Sequence, residues 1–283
     1  MHFLISHPEQ NAESFWFPRA RIGRALVDCC SLGEAVEVIT RHAALRGPSA
    51  CVVTPNAQHI VLLESDAGLQ QAYTHADLVL ADGASLLMAS RLLREKLRAR
   101  IAGIDLFEQL CGQAAKLGLR VFLLGGHCGS ARLAAEQLKR RFPGLLVAGT
   151  YCPPRGFEYD RHELQAIGHA IRKTQPDLVF VALGAPKQES WMHRHGRQSG
   201  APVLIGVGGS FEMMAGILPR APRLVQRIGC EWLYRLLHEP GRLWKRYLIG
   251  NCRFLWIVLR QRAARRRKSH PSLQTSLERA CGD

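Results

Sequence analysis

Among the acids of this chain, Asp82 is placed best to do chemistry. It follows the apolar run Leu78-Val79-Leu80-Ala81 and precedes Gly83, so its carboxylate is expected at the end of a strand. There it could take a proton from a hydroxyl group as a general base. Asp before a helix starting near Ala84 is also a common helix cap, and spacing alone leaves the two roles equal. Asp105 stands at another helix start, and there capping is the expected role. Other apolar runs end in comparable polar segments: Thr54-Pro55-Asn56, Gly125-Gly126-His127, Gly184-Ala185-Pro186-Lys187-Gln188-Glu189 and Gly206-Val207-Gly208-Gly209-Ser210. Three of these are glycine turns opening a helix, a local design whose backbone N–H groups can cradle phosphate. Pro186 suits the first helical position, where a missing N–H costs nothing. Lys187 and Gln188 then project beside the strand ends, and Glu189 favours the helix dipole.

Several chemistries are disfavoured by what the chain lacks. Gly125-Gly126-x-x-Gly129 is not G-x-G-x-x-G, the strand ending near Gly149-Thr150 offers no ribose-binding acid, and G-x-x-x-x-G-K-[ST] is absent. This speaks against a nicotinamide-dependent oxidoreductase. There is no D-x-D, no H-E-x-x-H and no C-x-x-C, so no metal site is expected. His193 and His195 are two apart on an expected helix and point in different directions. The twelve histidines read as surface or packing residues. The nine scattered cysteines form no disulfide framework and read as thiols in a reducing compartment. Without a metal, a diphosphate leaving group must be neutralised by Arg, Lys and helix N-termini.

The elements that must position these residues follow from hydrophobic periodicity. Strands are expected at Ala50–Thr54, Asp77–Ala81, Arg120–Leu124, Leu145–Gly149, Asp177–Leu183 and Pro202–Val207. Helices are expected around 57–74, 84–95, 105–117, 129–141, 161–174 and 187–198. That alternation predicts an α/β domain with a mostly parallel sheet covered by helices, whose ligands sit at the carboxyl ends of the strands. The expected organisation is an N-terminal extension at 1–48 packed on the core, with a strand near Ala25–Asp28 and a helix near 32–46. An α/β core at 49–217 follows, then a helical appendage at 218–262 and a disordered basic tail at 263–283.

The 283 residues carry a net charge of +15, and it is concentrated at one end. Between Ile217 and Lys268 lie fourteen basic residues and two acids, Glu231 and Glu239, a balance of +12. Such asymmetry points to an anionic partner. Apolar residues from Leu224 to Val258 recur at helical spacing, with arginines largely off the stripe and Pro240-Gly241 dividing two helices. Trp and Leu on one face with Arg on the other is the composition of an interfacial membrane helix. Equally, it suits a C-terminal helix packed on the core with a solvated basic face. Arg265-Arg266-Arg267-Lys268 favours an anionic membrane surface. A basic nucleic-acid-binding protein is the competing reading, but it leaves Asp82 and the glycine turns unexplained. No apolar run is long enough to span a bilayer. MHFLISHPEQ lacks a basic segment followed by an apolar stretch, so no secretory signal is expected.

In order along the chain, Thr54-Pro55-Asn56, Ala81-Asp82-Gly83, Arg100-Ile101-Ala102-Gly103-Ile104-Asp105-Leu106, Gly184-Ala185-Pro186-Lys187-Gln188-Glu189, Gly206-Val207-Gly208-Gly209-Ser210-Phe211, Arg220-Ala221-Pro222 and the closing Glu231-Trp232-Leu233-Tyr234-Arg235-Leu236 with Glu239-Pro240-x-Arg242 resemble the WecG/TagA/CpsF glycosyltransferases. The resemblance covers about Cys51 to Leu259. It implies a Rossmann-like α/β core with a C-terminal appendage that completes the site and docks at the cytoplasmic membrane face. The implied reaction is inverting, metal-independent transfer of a hexose from a UDP-sugar to a polyprenyl-diphosphate-linked sugar. The hexose is N-acetylmannosamine, its uronate, or a glucose-type sugar. No cofactor and no nucleic-acid partner are implied. By the same resemblance, Asp82 is the general base, Thr54 and Asn56 contact substrate near it, and Arg100 lies close by. Gln188 contacts the donor, with Lys187, Gly184, Gly208 and Gly209 around it, while Arg235, Arg242 and Lys245 meet the diphosphate. One departure is Glu212, where the family usually carries Asp.

Overall fold

The computed structural model describes residues 17–227, 229, 231–238 and 240–269, without the side chains of 227, 240, 242, 243, 245–247, 268 and 269. Six parallel strands form the sheet: β3 (Ala50–Val53), β4 (Leu78–Val79), β5 (Arg120–Gly125), β6 (Leu146–Tyr151), β7 (Leu178–Ala182) and β8 (Val203–Gly206), in the spatial order β4-β3-β8-β7-β5-β6. A separate antiparallel hairpin precedes them, β1 (Arg19–Ile22) paired with β2 (Ala25–Asp28).

Both faces of the sheet are buried along β3, β4, β7, β8 and most of β5, so these strands are apolar rather than alternating with polar residues, whereas the edge strand β6 has no buried residue. Period-two geometry still sorts the side chains. Leu178 and Phe180 of β7 face one core while Val179 and Val181 face the other. The first core is closed by α1 (Leu32–Ala44), α5 (Gly103–Leu117), α6 (Ser130–Arg141) and α9 (Ser210–Met214). The second is closed by α2 (Ala57–Leu62), α3 (Ala67–Thr74), α4 (Ala84–Leu92), α7 (Arg161–Thr174) and α8 (Lys187–Arg194). Helices thus lie on both faces, as the alternation implied. The hairpin and α1 join these same cores, so residues 17–48 belong to the body. Asp28 fixes the hairpin by accepting hydrogen bonds from Arg19 Nε (2.8 Å) and the Val79 N–H (2.7 Å).

The helix expected over 57–74 is two helices. Asp66 interrupts it, accepting from the Leu69 N–H at 2.8 Å and so capping α3. The helix expected over 187–198 ends at Arg194 and continues as a 3₁₀ turn.

Beyond the body come α10 (Arg223–Arg227), α11 (Glu231–His238) and α12 (Pro240–Ser269), three helical segments where two were expected. The single apolar stripe read from the sequence divides in two on α12. Phe254, Ile257 and Val258 are buried in the second core, while Trp244, Leu248, Leu255, Trp256 and Leu259 are exposed. At 100° per residue these sets occupy different faces of the helix. Polar contacts anchor the buried face: Gln261 Oε1 accepts from the Gly23 N–H at 2.8 Å and Arg260 pairs with Glu64 at 2.5 Å. Arg265 pairs with Glu95 at 2.5 Å and donates to the Leu93 carbonyl at 2.9 Å. Residues 263–269 are therefore helical rather than part of a disordered tail, because Arg265 ties them to the body. The remainder of the expected tail lies outside the described residues. No described helix is long and apolar enough to cross a membrane. Among the described residues Cys29, Cys30, Cys51, Cys111, Cys128, Cys152 and Cys252 are free thiols.

Candidate active site

A cavity of ≈ 1110 Å³ opens at the carboxyl ends of β3, β4, β7 and β8 and is closed on one side by α11 and α12. It sits where β3 and β8 lie side by side while the chain leaves β3 toward β4, the kind of switch point at which doubly wound sheets bind ligands. Thr54 spans this junction: its buried Oγ1 donates to the Gly206 carbonyl at 2.8 Å, joining the tips of β3 and β8.

Asp82 lines the cavity, half-buried. It does not cap α4. The cap position is Gly83, at φ +104°, which makes no side-chain cap bond. That backbone conformation is rarely open to any residue but glycine, and it leaves the Asp82 carboxylate to face the cleft. Burial pushes its pKa from 3.8 to about 6. Arg100 opposes the rise, Glu231 adds to it, and His59 and Arg235 oppose it. A proton affinity close to neutral suits a base that must both take and release a proton. Asp105 is no cap either; α5 begins two residues earlier behind Ala102, and Asp105 pairs with Arg220 at 2.6 Å.

Asn56 lines the cavity beside Asp82 and caps α2, accepting from the Gln58 N–H at 3.0 Å. The turn between Thr54 and Asn56 is tied to Asp82, whose N–H donates to the Pro55 carbonyl at 2.7 Å. Arg100 enters the cavity and pairs with Glu231 of α11 at 2.7 Å. Arg235 closes on the opposite turn: a Cβ built on Gly209 would meet its Nη2 at 3.5 Å. Gly184, Gly208 and Gly209 line the same wall. The side chains of Arg242 and Lys245 lie outside the described residues.

Lys187 is turned elsewhere. It is not among the residues lining the cavity, and its ammonium pairs with Glu158. Gln188 does line the cavity, at 2 % exposure, yet both ends of its amide are already engaged: Oε1 accepts from the Gly208 N–H at 3.0 Å and Nε2 donates to Glu189 at 2.9 Å. Pro186, after a cis Ala185–Pro186 bond, is the cap rather than the first helical residue.

Glu212 is buried and latches the β5 turn. Its Oε1 accepts from the His127 N–H (2.7 Å), His127 Nδ1 (2.9 Å) and Ser130 Oγ (3.1 Å). Burial alone would raise its pKa, but these donors and its own backbone N–H hold it below the ordinary value. The Gly126 turn it grips has no room for a side chain; a Cβ there would lie 2.3 Å from Ser130 Oγ.

Sequence reasoning missed a buried ion pair behind the cavity wall, joining the lining residue His59 to Glu189. Glu189 is not merely a dipole partner: it is 1 % exposed and pairs with His59, equally interior, at 3.3 Å. The spacing Asn56-x-x-His59, a capping box in which His59 Nδ1 meets the Asn56 N–H at 3.2 Å, was the signal available. Arg155 is a further lining residue that no pattern singled out, and Glu231 and His127, which stand in the patterns above, line the cavity without having been given a role. Among the described residues no cluster of three or more His, Cys, Asp or Glu is arranged to hold a metal ion.

One arrangement suited to group transfer sets a carboxylate able to accept a proton near cations able to hold a departing anion, and the cavity offers it with Asp82 after β4, Arg100 ahead of α5 and Arg235 on α11. With its doubly wound parallel sheet, the protein is a Rossmann-like transferase. Residues 20–268 match the family model described as "Glycosyl transferase WecG/TagA/CpsF family", and the chain belongs to that family. It is 36% identical over 199 residues, 70% of its length and 75% of the relative's, to the N-acetylglucosaminyldiphosphoundecaprenol N-acetyl-beta-D-mannosaminyltransferase of Bacillus spizizenii. The enzyme of the same name from Bacillus subtilis is 32% identical over 218 residues, 77% of this chain and 82% of that one. That from Staphylococcus aureus is 31% identical over 217 residues, 77% and 81% of the two chains.

Proposed function

We propose that this glycosyltransferase moves an N-acetylmannosamine-type hexose from a UDP-sugar to N-acetylglucosamine carried on a polyprenyl diphosphate, with inversion and without a metal. The observation that carries the reading is Asp82: a carboxylate in a cavity at the sheet's switch point, its pKa pushed by burial to about 6, sharing that cavity with Arg100 and Arg235. The relatives' names supply the sugar and the acceptor class.

In this mechanism the Asp82 carboxylate takes the proton of the acceptor hydroxyl as its oxygen attacks the anomeric carbon from the face opposite the leaving group. The bond to the UDP oxygen breaks with its electron pair, and the diphosphate leaves as an anion. Arg235 and the backbone N–H of Gly209 stabilise that charge, while the Gly208 N–H stays with Gln188 and fixes the turn; cations and oriented amides perform this role well in a site shielded from water. The β5 turn held by Glu212 takes part in holding the nucleotide. Arg100, displaced from Glu231, is available to the acceptor's diphosphate.

A lipid-linked acceptor requires the enzyme to work at a bilayer surface. The exposed apolar face of α12 suits burial at the headgroup boundary, and the basic residues around it suit anionic lipid. We assign the protein to the cytoplasmic membrane face as a peripheral enzyme on these grounds.

The test is a donor panel in EDTA. UDP-N-acetylmannosamine, its uronate, UDP-glucose and UDP-N-acetylglucosamine are each offered with a short-chain lipid-diphosphate N-acetylglucosamine, and UDP release is scored. The expected result is acceptor-dependent release with UDP-N-acetylmannosamine. Release only after Mg²⁺ or Mn²⁺ is added would overturn metal independence, and release only with another donor would overturn the sugar assignment.

A further inference from the structure

We infer that Glu189 is a positioning residue for both walls of the cleft, acting on Asn56 through His59 and on the Gly208 turn through Gln188. The inference rests on the transferase reading above and extends it to a residue that does not touch substrate.

Glu189 is an improbable occupant of its site unless it has such a task. It lies at 1 % exposure beside Cys51, Val53 and Met192, where an apolar residue would pack without penalty. Burying an ionised carboxylate is costly unless hydrogen bonds offset the lost hydration. One of its oxygens, Oε2, has no hydrogen-bond partner at all. Burial works to raise its pKa, yet His59, a backbone N–H and Gln188 together hold it below the ordinary glutamate value, so the group is ionised.

Everything therefore depends on Oε1, which meets His59 Nε2 at 3.3 Å and Gln188 Nε2 at 2.9 Å. A carboxylate only accepts, so both partners must present hydrogen. Each partner is a side chain that could otherwise be arranged two ways. For His59, a proton on Nε2 leaves Nδ1 of the neutral ring as an acceptor, and the Asn56 N–H lies 3.2 Å from it. Were the tautomer reversed, Nδ1–H would confront that N–H instead and turn toward Asn56 Oδ1, 3.1 Å away. For Gln188, an amide whose NH₂ faces Glu189 presents its oxygen to the Gly208 N–H at 3.0 Å. Flipped, it would set NH₂ against N–H.

A single oxygen thus selects one histidine tautomer and one amide orientation. The first holds the turn that carries Asn56 and, through the Pro55 carbonyl, Asp82. The second holds the Gly208 turn on the opposite wall. Outer-shell partners of this kind commonly change activity by about 10–100-fold when removed.

Glu189→Met separates this role from simple filling of space, because it keeps a side chain of similar length in apolar surroundings and offers no oxygen to His59 Nε2 or Gln188 Nε2, whereas glutamine could keep an amide oxygen in the place of Oε1. We would measure kcat for UDP-N-acetylmannosamine with the short-chain acceptor, and UDP affinity by calorimetry, for the wild type, Glu189→Met, His59→Asn and the double variant. Expected for His59→Asn is a kcat lower by about 10-fold or more with UDP affinity within twofold of wild type, since His59 serves the Asn56 wall alone. Expected for Glu189→Met is loss in both quantities. The double variant should be no slower than Glu189→Met, because His59 holds the Asn56 turn only while Glu189 orients it. A folded Glu189→Met with both quantities within threefold of wild type overturns the inference, as do losses that multiply in the double variant. Should Glu189→Met fail to fold, His59→Asn still decides: an unchanged kcat, or an equal loss of UDP affinity, overturns it. An active wild type with unaffected variants rejects this inference alone, whereas a wild type that neither binds UDP nor turns over rejects the transferase reading and this inference with it.

Discussion

Arg100 in the core and Glu231 on α11 form an ion pair of 2.7 Å at the edge of the cavity, and Asp82 feels both charges in opposite senses. The pair links the helical appendage to the proton affinity of the base. Glu231 disfavours the ionised form of Asp82 and Arg100 favours it.

The rate should accordingly follow Asp82 ionisation. With a pKa of about 6, transfer is low where Asp82 is protonated, climbs tenfold per pH unit below pH 6, and levels off above pH 7. Glu231→Gln removes the neighbouring negative charge and should move this limb to lower pH. Arg100→Gln should move it to higher pH. Initial-rate profiles between pH 4.5 and 8.5 check both; shifts in the same direction, or none, contradict the electrostatic assignment.

The same group carries a stability signature. A carboxylate with a raised folded-state pKa binds protons more tightly in the folded than in the unfolded chain, so its contribution to stability is lost as pH rises through the interval from 3.8 to about 6. Asp82→Asn should therefore stabilise the fold at pH 7.5 by about 1–2 kcal/mol, allowing for screening by cleft solvent, and by much less at pH 4. Denaturant melts at the two pH values read this directly.

Membrane binding should depend on the outward face of α12. Leu248→Ser, Trp256→Ser and Leu259→Ser together remove apolar area that is 65 %, 59 % and 47 % exposed and outside the core. Binding to anionic vesicles is expected to fall at least tenfold. Turnover of a short-chain soluble acceptor should change less than threefold. Unchanged vesicle sedimentation would assign the face another role.

Glu212→Ala should loosen the β5 turn. It leaves the buried Ser130 Oγ without its acceptor, while exposed His127 can turn to water, at a cost of about 1–3 kcal/mol to stability. UDP affinity is expected to drop with it. Glu212→Asp, a methylene short of reaching all three donors, should recover only part of either quantity, and full recovery would contradict the latch.

Much of this site could be read from the chain because each turn follows an apolar strand, and a parallel sheet brings all its carboxyl ends to one edge. Asp82, Thr54, Asn56 and the glycine turns fell there for that reason alone. What could not be read were distances between segments far apart in sequence. The pairing of His59 with Glu189 joins residues 130 positions apart, and that of Lys187 with Glu158 turns an expected ligand away from the cavity. Capping likewise depended on backbone angles: Gly83 rather than Asp82 occupies the cap, and Ala102 rather than Asp105. The twofold character of α12 was hidden because residues 244–259 are apolar on two faces, and period alone does not say which face meets the core.

The most direct measurement of the central claim compares wild type with Asp82→Asn for transfer from UDP-N-acetylmannosamine to the short-chain lipid-diphosphate acceptor, in EDTA at pH 7.5, alongside UDP affinity. The account predicts that transfer falls by about 10²–10⁴-fold while UDP affinity stays within threefold. Transfer within threefold of wild type would show that some other group takes the acceptor's proton.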